Sequence, residues 1–147
     1  MIVIKSLTPI NIGTLRQTCE AAKLYRREML GAYTDVELAR ICNGIGADWM
    51  PQELNDFLSA LTPELLPVAL IHDVECYEAQ RCNPSEADFA ASNERFRCNG
   101  CRVAEHHYAW WHYRRYVVKS RAKACAEILR RFGRYSYFGG QTEGVEK

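Results

Sequence analysis

Val68-Ala69-Leu70-Ile71-His72-Asp73-Val74-Glu75-Cys76-Tyr77-Glu78-Ala79 sets a His beside an Asp in the middle of an apolar run. Wound as a helix, the stretch puts Val68, Ile71, Glu75 and Ala79 in one row. Leu70, Asp73, Val74 and Tyr77 fall near another. Burying an unpaired ionisable group among aliphatics costs several kcal/mol. Hydrogen-bond partners or a metal ion are therefore expected beside His72. The plainer alternative is a partly exposed His and an Asp on the helix surface.

Punctuation on both sides fixes the extent of this helix. Thr62-Pro63-Glu64 opens it, and Pro67 either kinks it or marks its true start. Arg81-Cys82-Asn83-Pro84 is a turn. Ser85 followed by Asp88 reads as a capping box, so a second helix runs from about Glu86 towards Cys98 or beyond. Asn99-Gly100 is a candidate break. A long helix is expected from about Val103 to Phe132.

Upstream, residues 1–13 read as irregular or extended, with Thr8-Pro9 and Asn11-Ile12-Gly13 as breakers. Leu15, Cys19, Ala22 and Met29 recur near helical spacing and predict a helix over Thr14 to Leu30, stopped by Gly31. Thr34 caps a short helix with Asp35 and Glu37 in its first turn. In Cys42-Asn43-Gly44-Ile45-Gly46-Ala47-Asp48-Trp49-Met50-Pro51, two Gly around one Ile make a tight loop whose backbone can approach a ligand closely. A further helix is expected from Pro51 to about Leu61. No repeat and no convincing strand pair is visible.

The fold expected is thus all-α: a single helical domain over residues 1–138 with a disordered tail, 139–147. A chain of 147 residues, 48% hydrophobic and 25% charged, suits one folded core. No apolar run approaches the ~20 residues needed to span a membrane. Met1 to Ser6 is too short an apolar segment for a signal peptide, and its Lys follows rather than precedes it. A cytoplasmic location is the expectation. Seven Cys, an odd count, argue against a full disulfide framework and for mostly reduced core thiols.

The net charge of +1 hides an asymmetry. Residues 95–134 carry eleven Lys/Arg and two Glu, leaving the rest of the chain at −8. A basic third of this kind can meet nucleic acid, anionic lipid, or the acidic remainder of its own chain, the last being the default.

A glycine-bearing loop, a His-Asp helix, a turn and a second helix ending in an acid-to-Phe pattern together resemble the phospholipase A2 superfamily, in its short viral and bacterial branch. The resemblance covers Cys42 to about Cys101. It also extends to small phage-encoded proteins with an Asn-Gly-Ile-Gly loop and an Ile-His-Asp-Val-Glu helix. It implies an antiparallel helix pair and a calcium-dependent esterase acting on glycerophospholipids. His72 would be the general base and Asp73 a calcium ligand, with Asn43, Gly44 and Gly46 in the calcium loop. Calcium favours such oxygen ligands and would hold the developing oxyanion. A carboxylate on the next helix orients the His in the family. Here the position three before Phe96 is Asn93, and Asp88 is the nearest acid. Asn93 is expected to be the nearer neighbour of His72. Where the family has Tyr four residues after the His, this chain has Cys76.

Two other constellations bear on function. Cys98-Asn99-Gly100-Cys101 followed by His106-His107 has some of the donors of a zinc site, with Cys82 or Cys76 as a further ligand. Small thiols near a helix end are the alternative. Tyr108 to Tyr116 mixes aromatics with Arg, as surfaces for single-stranded nucleic acid or lipid do. The same region also lays Trp110, Tyr113, Val117, Ala124 and Ile128 on one core stripe, with Arg114, Lys119, Lys123 and Arg130 solvated.

Three functions remain open on these grounds. The first is the calcium-dependent esterase, with phospholipid or a membrane surface as its partner. The second is a non-catalytic phage or bacterial accessory protein using the scaffold to bind protein. The third is a zinc-stabilised nucleic-acid-binding module. The sequence leaves the oligomeric state open.

Overall fold

The computed structural model describes residues 9–42 and 62–138. The glycine loop with Asn43, Gly44 and Gly46, the helix expected from Pro51 and the tail from 139 lie outside the described residues.

Helix α1 spans Pro9–Ala21, so it begins inside the segment expected to be irregular. Pro9 acts as a helix opener rather than a breaker, because the missing N–H would lack an intrahelical partner there in any case. Ile12 and Cys19 are fully buried. The helix then stops at Ala21 instead of running to Leu30. Lys23 and Arg26 take positive φ, 52° and 66°, and a 3-10 turn follows over Arg27–Ala32. Left-handed backbone costs a residue with a Cβ roughly 1–2 kcal/mol. Distant side chains hold it: the Asn99 amide binds the backbone of Tyr25, and Arg102 donates to the Lys23 carbonyl at 2.8 Å.

Helix α2, Asp35–Ile41, starts as expected. Thr34 Oγ1 accepts from the Glu37 N–H at 3.2 Å, and the Glu37 carboxylate accepts from the Thr34 N–H at 2.7 Å. After a short 3-10 turn over Pro63–Leu65, helix α3 spans Leu66–Ala79, so Pro67 lies in its first turn and marks the start. Eleven of its fourteen residues are buried, including His72 and Glu75. A helix apolar on nearly every side belongs in the centre, and α3 is packed by α1, α2, the 3-10 turns and the helices at Glu86–His107 and Arg134–Phe138.

Helix α4, Glu86–His107, opens with the expected Ser85–Asp88 capping box. It continues through Asn99-Gly100, where a break was a candidate. Gly100 serves packing instead: a Cβ there would lie 2.2 Å from the Ala122 Cβ and 3.4 Å from Leu65. Contacts between α3 and α4 run in opposite senses. Leu65 meets Gly100, His72 meets Ser92 and Phe96, and Cys76 and Ala79 share an apolar cluster with Phe89.

The long helix expected over Val103–Phe132 is two helices. α4 ends at His107, and α5 spans Tyr113–Phe132. Glu64 staples the intervening turn. It accepts from the Tyr108 hydroxyl at 2.8 Å and from Arg114 Nε at 2.7 Å, while His112 caps α5 by accepting from the Arg114 N–H at 3.1 Å. A short helix α6, Arg134–Phe138, closes over Phe89. No strand occurs among the described residues, and the fold is all-α. Among the described residues, no helix is long and apolar enough to cross a membrane.

Candidate functional site

His72 sits near the middle of α3, 7% exposed. Its Nδ1 lies 3.3 Å from Ser92 Oγ on α4, and its Nε2 lies 3.6 Å from Cys76 Sγ one turn along α3. Hydroxyl and thiol can each donate or accept, so either neutral tautomer is satisfied. The ring meets Phe96 edge-on at 5.5 Å. Burial holds the imidazole pKa below its ordinary value; Glu75 raises it and Arg95 lowers it further. The partners expected beside a buried His are present, and they are neutral.

Glu75, one turn from His72, binds Arg95 of α4 through both oxygens, at 2.8 and 3.2 Å. Its side chain is 4% exposed. This pair is the charged contact between α3 and α4 at the level of His72.

Ser92, not Asn93, is therefore the hydrogen-bonding neighbour of His72. Asn93 is next to it in sequence, 5% exposed, with neither amide atom hydrogen-bonded. Successive residues on a helix point about 100° apart, which turns Asn93 away from the direction of Ser92. Asp88 is exposed and belongs to the capping box, its Oδ2 accepting from the Ser85 N–H at 2.8 Å. That bond and the Ser85 hydroxyl hold its pKa down. Asp73, the proposed calcium ligand, is half-buried on α3. Its companions Asn43, Gly44 and Gly46 lie outside the described residues.

The cysteines do not form a metal cluster among the described residues: no three His, Cys, Asp or Glu side chains converge there. Cys98 and Cys101 are half-buried, and burial raises the Cys98 pKa. Cys19, Cys42 and Cys76 are the buried thiols, and burial pushes Cys19 up to about 12. All seven cysteines are free, as expected; Cys125 packs half-buried against the core, and Cys82 is exposed.

The aromatic segment departs from the core stripe. Trp110 and Tyr113 are each 72% exposed, Trp111 68% and Tyr116 55%. The buried face of α5 is Val118, Ala122, Ala126 and Leu129. The chain breaks before Tyr113, so Trp110 is not on α5 at all, and the contact at Gly100 demands that Ala122 face inward. Arg114, expected to be solvated, is instead half-buried against Glu64.

The basic third is partly neutralised from within. Arg95 pairs with Glu75, Arg97 with Glu94, Arg114 with Glu64, Arg134 with Glu86, and Lys119 with Glu105. Arg121 donates to Thr62 Oγ1 at 2.9 Å.

Ser92 and Glu64 carry the main contacts that sequence reasoning missed. Ser92 lies four residues before Phe96 and twenty after His72, and no spacing rule marks it. Glu64 was legible only as an acidic residue at a helix start. Comparison with protein families, curated proteins and solved structures gives no match to the chain.

Proposed function

We propose that the protein is a non-catalytic helical scaffold that acts by binding another protein. The observation that carries this reading is the enclosure of His72. A general base must reach a water or a substrate proton. Here both ring nitrogens face protein groups, and the ring is 7% exposed. Burial also favours the neutral ring, whereas a base must accept a proton during turnover.

The binding surface in this reading is the turn between α4 and α5. Trp, Tyr and Arg dominate the energetics of protein interfaces, and four exposed aromatics gather there within seven residues of sequence. Arg114, Arg115 and Lys119 beside them are paired with Glu64 and Glu105. Paired cations favour a protein partner over a polyanion, whose binding feeds on unpaired positive charge.

The test is release of fatty acid from phospholipid vesicles at millimolar calcium. Neither the wild type nor His72→Gln should exceed background. Calcium-dependent release by the wild type that is lost in His72→Gln would overturn the reading in favour of the esterase.

A further inference from the structure

At the far end of α5 from the aromatic turn, a cleft of about 530 Å³ lies between α4, α5 and α6. Small-molecule sites span roughly 300–1,000 Å³. Two turns back along α4 from the tight contact at Gly100 comes Asn93. One turn along α5 from Ala122 comes Ala126. Both residues line the cleft, with Phe89 as the larger apolar wall.

Two features point to a ligand. Asn93 is 5% exposed, and its Nδ2 and Oδ1 both lack a hydrogen-bond partner. Buried amides almost always find one. The second feature is the charge of the lining: Arg97, Lys123, Arg130 and Arg134 contribute four cations. Three are fixed by carboxylates. Arg97 is bound to Glu94, Arg130 to Glu127 with Nε–Oε2 at 3.0 Å, and Arg134 to Glu86. The guanidinium fork has five N–H donors, so each pair leaves some free. Lys123 has no ion-pair or hydrogen-bond partner among the described residues. The three carboxylates leave the lining with one net positive charge.

We propose that this cleft binds a small phosphomonoester that carries a hydroxyl group. The phosphate oxygens take the free donors of Lys123 and the arginines. With its side chain turned out into the cleft, the Asn93 amide donates through Nδ2 and accepts the ligand hydroxyl at Oδ1, two bonds it lacks in its buried position. The carbon skeleton rests on Phe89 and Ala126. A bare inorganic anion satisfies the cations and leaves the apolar wall unused.

The experiment is an NMR titration of the full chain with glycerol 3-phosphate, following the side-chain amide of Asn93. Sodium sulfate at matched ionic strength is the control. The amide resonances should move and saturate in the millimolar range with the ester, at several-fold lower concentration than with sulfate. Asn93→Ala removes an unpartnered amide, and Lys123→Ala alters an exposed side chain, so both should fold. Each should weaken binding at least about fivefold, read from the backbone amides of 89–97. Vesicles carrying phosphatidic acid are the second arm. Saturable binding to them alone, lost in both variants, would keep the site and assign its phosphate to a lipid headgroup. Equal responses to ester and sulfate, or binding indifferent to both substitutions, would overturn the proposal.

Discussion

Asn99 holds Tyr25 by both polar groups of its backbone: Oδ1 accepts from the Tyr25 N–H at 2.7 Å, and Nδ2 donates to the Tyr25 carbonyl at 3.1 Å. A fully buried amide on α4 thus fixes the turn between α1 and the first 3-10 segment, 74 residues away in sequence. Asn99→Ala should destabilise the protein by about 1–3 kcal/mol, the cost of leaving buried polar groups unmade. Urea unfolding measures the loss. Hydrogen exchange at residues 22–27 should rise more than in α5, and uniform exchange would argue against a local lock.

Gly100 and Ala122 set how closely α4 and α5 approach. Gly100→Ala would place two methyl carbons 2.2 Å apart, so the helices must move. Overpacking of this kind costs about 1–3 kcal/mol. Ala122→Gly in the same chain should recover part of that loss. A double variant no more stable than Gly100→Ala alone would show that the crossing is not what the glycine serves.

The buried imidazole makes stability depend on pH in a definite direction. Unfolded His72 takes up a proton near pH 6.5. In the folded chain it does so only at lower pH, because burial opposes the charge; Glu75 offsets this partly, and Arg95 adds to it. Between the two values the unfolded state binds more protons, so stability rises with pH. It should be level above about pH 6.5 and fall below it. His72→Gln should flatten part of this slope. A remainder will persist from His107, which burial and the neighbouring His106 also shift downward. An unchanged slope in the variant would place the pH dependence elsewhere.

Glu64 ties the start of α3 to both ends of the aromatic turn. Burial pushes its pKa up, but Arg114, its own backbone and Tyr108 together outweigh that and hold it below the ordinary value. Glu64→Ala should free Tyr108 and Arg114 together. The expected loss is about 1–3 kcal/mol, near the range for hydrogen bonds to charged groups. Fluorescence from Trp110 and Trp111 should report the change, and an unaltered emission spectrum would mean the turn holds without the staple.

Local signals in the chain proved readable where the physics is local. Both capping boxes, at Thr34 and Ser85, lie where side chain and backbone meet three residues apart. Pro67 marks the start of α3, and the helical content follows from spacing alone. What escaped were features decided by distant partners. The stop of α1 before Leu24 depends on Asn99, and the break before Tyr113 depends on Glu64. The burial of α5 turned on one glycine, so the aromatic stripe read as core is exposed. Within the site, His72 was legible as a buried ionisable group needing partners. That Ser92 rather than Asn93 supplies one is a matter of about 100° of helix rotation, which no residue pattern announces.

The internal neutralisation of the basic third has a consequence for the chain before it folds. Its positive charges cluster in residues 95–134, and the excess negative charge lies elsewhere. Arg114 finds its carboxylate 50 residues away, and Arg134 finds its own 48 away. The unfolded protein is therefore a block polyampholyte, whose segments attract across long loops before any packing begins. In low salt the denatured coil should be contracted, and added sodium chloride should swell it as the Debye length falls from ~30 Å at 0.01 M to ~3 Å at 1 M. Small-angle scattering in urea, which adds no ions, would see that expansion directly.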